Sequence, residues 1–478
     1  MKSFSARRMI PACAITAVGI AAVALPGAAS AASTCVKTEP ETAVRGKGSS
    51  AQKAWQKEIW NPGFNTSADP SACNGTQGEK GTPKVTYEST GSGAGLRSWG
   101  VEQKKPGEEE LWFGPKNAFV GTEIAPNTAQ KEAIESHTEG GKLLTIPVGQ
   151  PAIAIIIHLP KGCEGVEGGP TPGVIALKQK TLEQVFEGKK TKWSQLLNKA
   201  KMKEKVKKQC EKTGHITRVV REDGSGTTDW FMKFMNTVDK GKVVTESGKT
   251  WAQEGELGNN TEWPKEKEDA VVRGNGGGGV VSAVVATEGS IGYADVSTSR
   301  ANLNFISATE ENAKKEKGKG GPGSPIFWAN VENGKGSYAN PASNGEVAGI
   351  SNSNCEETVY TNGGGKKAFP PPGVEEPWNE VTTSLTQKHY PLCYLTFDLA
   401  LTKYKGATKG TFAGTGEEEP AEPTKEEAQT VSDYIGYELS AAGQGALLGQ
   451  DALGDPTSAE PSKNVLKLAQ EGVAKIGF

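Results

Sequence analysis

The stretch Arg221-Glu222-Asp223-Gly224-Ser225-Gly226-Thr227-Thr228 decides how this chain reads. An apolar segment precedes it, with Ile216, Val219 and Val220 in the pattern of a short buried strand. Beyond it Trp230, Phe231, Phe234 and Met235 recur at helical spacing. The Asp-Gly-Ser-Gly-Thr-Thr run therefore occupies a strand-to-helix corner. N–H groups at a helix N-terminus have no intrahelical partner and carry the positive end of the helix dipole. Glycine lets that backbone come close to a ligand, and Ser225, Thr227 and Thr228 add hydroxyl donors. Arg221 adds a permanently charged planar fork suited to two oxygens of one oxyanion. The pattern predicts a cradle for a tetrahedral anion.

Working outward, two other turns have the same character. Gly48-Ser49-Ser50 leads into a helix marked by Ala51, Trp55 and Ile59, and the strand Val85-Thr86-Tyr87 runs into Gly91-Ser92-Gly93-Ala94-Gly95-Leu96-Arg97. Further strands are expected at Ala118 to Glu123, which ends in a polar tip, at Leu143 to Pro147, Ala152 to His158, Ser290 to Tyr293 and Tyr390 to Phe397. Helices are expected after a capping box at Thr181-Leu182-Glu183-Gln184, over Gly277 to Val285, and from Ala428 to Phe478. Ala308 to Pro377, rich in Lys-Gly repeats, Asn, Ser and Pro, reads as a long surface insertion or partly disordered segment, and Gly406 to Thr424 as a second low-complexity stretch. Strands alternating with helices mean α/β layers. Strands that end in Gly/Ser/Thr turns place a ligand at their carboxyl ends, often between domains.

Residues 1–31 have the form of a secretory signal: Lys2, Arg7 and Arg8, then an apolar core from Ile15 to Leu25, then Ala29-Ser30-Ala31. That core falls short of the roughly 20 residues needed to span a bilayer. The expectation is an exported protein of the periplasm, envelope or extracellular space. Cys35 lies just beyond the cleavage site, but Ala32-Ser33-Thr34 lacks the residues usual before a lipidated cysteine. Loss of the signal removes three positive charges and takes the net charge from −2 to −5. Neither nucleic acid nor anionic lipid is favoured as a partner, so an anion must be held by a local site.

Of seven cysteines, Cys13 leaves with the signal. Six remain, and an even number in an exported chain favours disulfides. Six cysteines allow 15 connectivities. Sequential coupling favours Cys35–Cys73, Cys163–Cys210 and Cys355–Cys393. No Cys-x-x-Cys occurs, so neither a zinc site nor a thioredoxin-like motif is expected, and no cofactor.

An enzyme reading finds little support. The four histidines are His137, His158, His215 and His389. There is no Gly-x-Ser-x-Gly elbow, no His-Glu-x-x-His and no Gly-x4-Gly-Lys-Ser/Thr. A binding protein is expected.

The chain resembles the phosphate-binding protein of the high-affinity ABC phosphate importer, an extracytoplasmic solute receptor. The matching pieces are Gly46-Lys47-Gly48-Ser49-Ser50-Ala51, Tyr87-Glu88-Ser89-Thr90-Gly91-Ser92, Thr181 to Leu196, Arg221 to Thr227 and Gly289-Ser290-Ile291-Gly292-Tyr293, in family order. The resemblance implies a two-lobed, type II periplasmic-binding-protein fold with the ligand in the interdomain cleft. Lobe I would be residues 36–150 and 391–478, and lobe II residues 151–390 with an insertion at about 308–377. The hinge would lie near Val148–Ala152 and His389–Cys393. Phosphate would be held by Ser50, Ala51, Ser92, Arg221, Ser225, Gly226 and Thr227, with Asp223 orienting Arg221. The family usually places an Asp at the end of the strand at Phe119–Pro126; here the nearest acid is Glu123. Such an acid accepts the proton of phosphate and repels a fully deprotonated dianion. The implied partners are inorganic phosphate and the importer's membrane subunits, with the receptor a monomer. Three other readings stay open: a receptor for another oxyanion, a surface sensor or adhesin on the same fold, and, more distantly, a phosphatase-like hydrolase.

The mature chain should begin near Ala32 and contain no free thiol. Intact mass of the exported protein, alkylated with and without prior reduction, checks both. Alkylation of the unreduced protein, or a diacylglycerol adduct on Cys35, would contradict this reading.

Overall fold

The glycine-rich turns of this chain fall where strands hand over to helices. In the computed structural model the described residues are 44–66, 84–99, 101, 118–136, 138–161, 163, 175–196, 208, 210–212, 214–255, 260–265, 270–303, 326–342, 355, 358–407, 423–447 and 461–478. Cys35 and Cys73 lie outside them, as does the signal segment.

The first lobe begins with β1 (Val44–Gly48), whose end leads into a wide-turn helix, Trp55–Trp60, continued by α1 (Asn61–Thr66). β2 (Val85–Ser89) runs into α2 (Ser92–Arg97), and β3 (Phe119–Thr122), α3 (Thr128–Ser136) and β4 (Leu143–Gly149) follow. These strands join β15 (Thr396–Leu401), from far down the chain, in a sheet of order β2-β1-β3-β15-β4. β1 pairs in parallel with β2 and β3, while β15 runs antiparallel to β3 and β4. β15 lies inside the sheet and β4 at its edge, yet both are buried along their whole length.

The second lobe starts at β5 (Ile153–His158). β6 (Ala176–Leu177), α4 (Gln179–Phe186), β7 (Thr217–Arg221) and α5 (Gly226–Asp239) come next. Then follow α6 (Trp251–Gly255), β8 (Val271–Gly274), α7 (Gly276–Ala286), β9 (Ser290–Asp295), α8 (Val296–Leu303) and β10 (Ile326–Trp328). The sheet order is β10-β5-β9-β7-β8, with β7 parallel to both neighbours. β11 (Asn330–Glu332) and β12 (Tyr338–Ala339) pair with each other and β11 with β6, while β13 (Tyr360–Asn362) pairs with β14 (Val381–Thr383). Two sheets flanked by helices thus make a two-lobed α/β fold.

The chain passes between the sheets twice, and the two crossings lie side by side. Ala152 bridges Cys393, Tyr394 N donates to Pro151 O at 3.0 Å, and Ile153 N donates to Leu392 O at 2.9 Å. Cys393 is disulfide-bonded to Cys355, and Cys163 to Cys210.

Three local expectations differ from what forms. The capping box at Thr181 is not made: α4 already starts at Gln179, with Lys178 as a cap that contributes no side-chain bond. The apolar face of α4, Leu182, Val185 and Phe186, is buried, and that packing sets the start earlier than the cap residues would. The strand expected from Tyr390 is regular only from Thr396; residues 390–395 are the crossing itself. Within the stretch read as an insertion, Ile326, Phe327 and Trp328 are buried as β10, paired to β5. Their pairing partner is far away in sequence, so Gly/Lys composition hid them.

A buried acidic pair lies under the first lobe's sheet. Asp398 on β15 and Glu438, at the end of α9 (Lys425–Glu438), are both wholly buried and within hydrogen-bonding reach of each other. Gln52 Nε2 donates to Asp398 Oδ1 at 3.0 Å and Gln56 Nε2 to Glu438 Oε1 at 2.9 Å. Asp398 Oδ2 and Glu438 Oε2 have no donor. One proton held between the two carboxyls satisfies both oxygens. Burial pushes Asp398 up to about 7, and burial and the neighbouring Asp398 charge push Glu438 well above the usual carboxylate range.

The sign of the pH effect follows. The folded pair keeps a proton that the unfolded chain releases above about pH 4. Stability should therefore fall as pH rises from there, and go on falling past about 7, where Asp398 ionises while Glu438 still holds its proton, by at most about 1.4 kcal/mol per pH unit for each retained proton. Glu438→Gln supplies an amide donor that does not titrate and should flatten this slope. Denaturant midpoints of both proteins between pH 4.5 and 7.5 check it; parallel slopes would show that the pair holds no shared proton.

Candidate functional site

The site is assembled where β1, β2, β3, β7 and β8 end. Glu123 sits just past β3 and is buried at 2% exposure. Ser49, after β1, donates its hydroxyl to Glu123 Oε1. Ser92, the first residue of α2, donates to Glu123 Oε2 at 2.7 Å. One carboxylate thus receives a hydroxyl from each of two turns that are far apart in sequence. Burial pushes the Glu123 carboxyl up; the Ser49 and Ser92 hydroxyls and the Arg221 charge pull the other way without cancelling it, and the Asp295 charge adds to the rise.

The second lobe supplies the cation. Arg221 ends β7, is 2% exposed, and donates Nε to Asp223 Oδ1 at 2.8 Å and Nη2 to Asp223 Oδ2. Burial alone would raise Asp223, but its bonds and attraction to Arg221 outweigh that and hold it below the usual range. Gly276 N, at the start of α7, donates to the same Asp223 Oδ1 at 2.9 Å. The guanidinium is therefore fixed on one side and leaves its remaining N–H groups for another acceptor.

Next in sequence, Ser225 caps α5 by accepting from Thr228 N at 3.2 Å. Asn260 holds the Ser225 backbone on both sides, accepting from its N at 3.4 Å and donating to its O at 2.8 Å. Thr228 is tied to the Tyr293 hydroxyl at 2.6 Å. Gly226 and Thr227 follow as the first turn of α5, both buried.

The two lobes touch through these same residues. Gly93 N donates to Gly224 O at 3.1 Å, Trp230 Nε1 to Glu123 O at 2.7 Å, and Gly277 N to Ser50 Oγ at 3.4 Å. Gly226 faces Glu123 so closely that a Cβ there would lie 2.5 Å from both the Glu123 Cβ and its Oε2. Gly91 has φ +91°, which L side chains rarely adopt, and a Cβ there would meet Asp223 Oδ2 at 2.5 Å. Glycine at both places is a condition for the lobes to meet.

The structure therefore brings Ser92, Glu123, Arg221, Asp223 and Gly226 together, with Ser225 and Thr227 on the adjoining turn. Ser50 reaches the start of α7 rather than Glu123, and Ala51 is buried next to it. Sequence reasoning placed no role on Ser49, yet Ser49 makes the Glu123 contact. It also passed over Asn260, Gly276 and Asp295. The glycine run Gly276-Gly277-Gly278-Gly279 opening a helix was the available signal for Gly276; Asn260 and Asp295 carry none. His158 faces Val284 O at 3.1 Å and His215 bridges Lys192, both away from these serines. Among the described residues no three His, Cys, Asp or Glu side chains gather as metal ligands would, and no helix is long and apolar enough to cross a membrane.

A family model for a PBP superfamily domain matches residues 36–345. The chain belongs to that superfamily. Among solved structures it is similar to a high affinity periplasmic phosphate-binding protein, PfluDING, bound with phosphate, at 17% identity and a TM-score of 0.51 over 91% of this chain and 99% of that one. It is also similar to a human phosphate binding apolipoprotein, at 16% identity and a TM-score of 0.50 over 90% of this chain and 93% of that one. At such identities the likeness is one of fold. No curated protein sequence matches the chain.

Gly226→Ala should hold the lobes apart at this contact without harming α5, since alanine is a good helix former. The variant should show an unchanged far-ultraviolet circular dichroism spectrum and a larger radius of gyration by small-angle X-ray scattering. An unchanged radius would mean that the contact relaxes locally instead.

Proposed function

We propose that the chain captures inorganic phosphate in this cleft outside the cytoplasm and delivers it to an ABC importer, acting as a monomer and without chemistry on the ligand. One observation carries the reading. A buried arginine, serine hydroxyls and the N-terminus of α5 converge beside one buried carboxylate, Glu123, which is bonded to hydroxyls rather than to a cation. Donors in number suit an oxyanion, and a single acceptor suits one that still carries a proton. The shared fold with phosphate-binding proteins and the order of the sequence motifs support the same conclusion. The ligand set is Ser50, Ala51, Ser92, Glu123, Arg221, Ser225, Gly226 and Thr227. The Ser49 and Ser92 hydroxyls face a carboxylate rather than a histidine base, which favours holding over hydrolysis.

Phosphate near neutral pH keeps a proton that sulfate lacks. Glu123 gains a hydrogen bond from the first and meets unrelieved repulsion from the second. A buried charge left unpaired in this way costs about 1–3 kcal/mol or more. Selectivity therefore resides in Glu123, and affinity chiefly in Arg221.

Calorimetry of the exported protein against phosphate, arsenate, sulfate and phosphonate tests the assignment. Arg221→Ala should nearly abolish binding, since removing one partner of a buried hydrogen-bonded charge pair costs about 2–5 kcal/mol, and each 1.4 kcal/mol is about tenfold in affinity. Wild-type affinity in that variant would rule the site out. Glu123→Gln should lose discrimination between phosphate and sulfate more than it loses phosphate affinity. An unchanged ratio of the two dissociation constants would mean that another group reads the proton.

A further inference from the structure

Tyr394 stands on the return crossing between the lobes, two residues before β15. Its backbone N is bonded to Pro151 O at 3.0 Å. Its ring lies against that of Trp230, with centroids 6.0 Å apart and an interplanar angle of 36°. Trp230 in turn donates to the backbone oxygen of Glu123. The Tyr394 side chain is completely buried, yet its hydroxyl makes no hydrogen bond of acceptable geometry.

The other buried tyrosines show how unusual this is. Tyr87 donates to Ser49 O at 3.0 Å, Tyr390 to Ile153 O at 2.6 Å, Tyr404 to Ala118 O at 2.6 Å and Tyr434 to Gln56 Oε1 at 2.6 Å. Tyr293 is paired with Thr228 at 2.6 Å and Tyr360 with Gln150 at 3.2 Å. Among the described residues Tyr394 is the one tyrosine whose buried hydroxyl is left over. An unmade buried hydrogen bond is costly, so such a group needs an explanation.

Its surroundings supply one. The Tyr394 hydroxyl feels the charges of Glu123, Asp295 and Arg221 and has the Thr227 side chain within reach, though not in bonding geometry, and three of these four belong to the ligand set above. Burial, and then the Glu123 and Asp295 charges, push its ionisation well above the usual tyrosine range, so it remains an O–H donor at any physiological pH. Trp230 and the Pro151 contact fix the ring and leave little freedom to turn the hydroxyl elsewhere.

We propose that the Tyr394 hydroxyl is a direct ligand of the captured anion, donating a hydrogen bond to one of its oxygens from the hinge side of the cleft. The inference rests on the phosphate reading and adds to it a donor from the crossing strand, which belongs to neither of the turns at the carboxyl ends of the sheets. The anion would thus be gripped by both lobes and by the segment that joins them. A hydroxyl that is unpaired without ligand and paired with it stabilises only the occupied state.

That asymmetry separates a ligand from a structural group. Tyr394→Phe removes the oxygen and keeps the ring against Trp230. In the full exported chain this variant should bind inorganic phosphate roughly ten- to a hundredfold more weakly by calorimetry, as expected for a hydrogen bond to a charged acceptor. Its thermal midpoint without phosphate should equal or exceed that of the wild type. Phosphate binding equal to wild type overturns the inference and leaves the phosphate reading standing. A lower midpoint without phosphate, or failure to fold, shows that the hydroxyl serves the fold and overturns it as well. A wild-type protein that binds no phosphate overturns the function and this inference together.

Discussion

The architecture turns on one buried carboxylate. Glu123 is carried by the strand β3, fixed by hydroxyls from the turns after β1 and β2, and covered by the start of α5 from the other lobe. Each of these contacts requires another. The serines can reach it only because three neighbouring strands of one sheet end at the same level. The second lobe can cover it only because Gly226 has no side chain. A charge so placed disfavours its own ionisation, and the hydroxyls and Arg221 oppose that tendency without removing it. The result is a buried carboxylate that meets neutral hydroxyls on both oxygens and no cation in direct contact.

Around that carboxylate the positive groups are arranged with equal economy. Arg221 is buried, and a buried guanidinium is tolerated only when paired. Asp223 provides the pairing two residues away, and the backbone of Gly276 steadies Asp223 in turn. The three sit at the ends of β7 and β8, adjacent parallel strands. Parallel pairing brings like ends together, so loops that follow such strands meet on one edge of the sheet.

Deeper in the first lobe, the Asp398–Glu438 pair is linked to the same region by Gln52, whose N donates to Ser49 Oγ at 3.1 Å. A helix that starts at the site therefore has its flank tied to a shared proton in the core. Polar groups in such numbers beneath a sheet are costly unless each is satisfied, and the amides of Gln52 and Gln56 with the hydroxyl of Tyr434 accomplish most of this.

The sequence by itself determined the alternation of strands and helices and the strand-to-helix corner at Arg221–Thr228, which are local properties of apolar period and glycine turns. Its resemblance to a known family named Ser92 and Glu123 as candidates and Asp223 as the partner of Arg221. Only the tertiary structure decided which serine meets Glu123, and it is Ser49 rather than Ser50. Neighbouring residues on a turn point in different directions, and only the packing of β1 between β2 and β3 says which faces the strand end. Only the tertiary structure placed Ile326–Trp328 in a sheet, because its partner β5 is remote in sequence. Only it left the Tyr394 hydroxyl without a partner beside Glu123 and Thr227. A missing hydrogen bond is a property of everything surrounding an atom, and no stretch of sequence contains those surroundings.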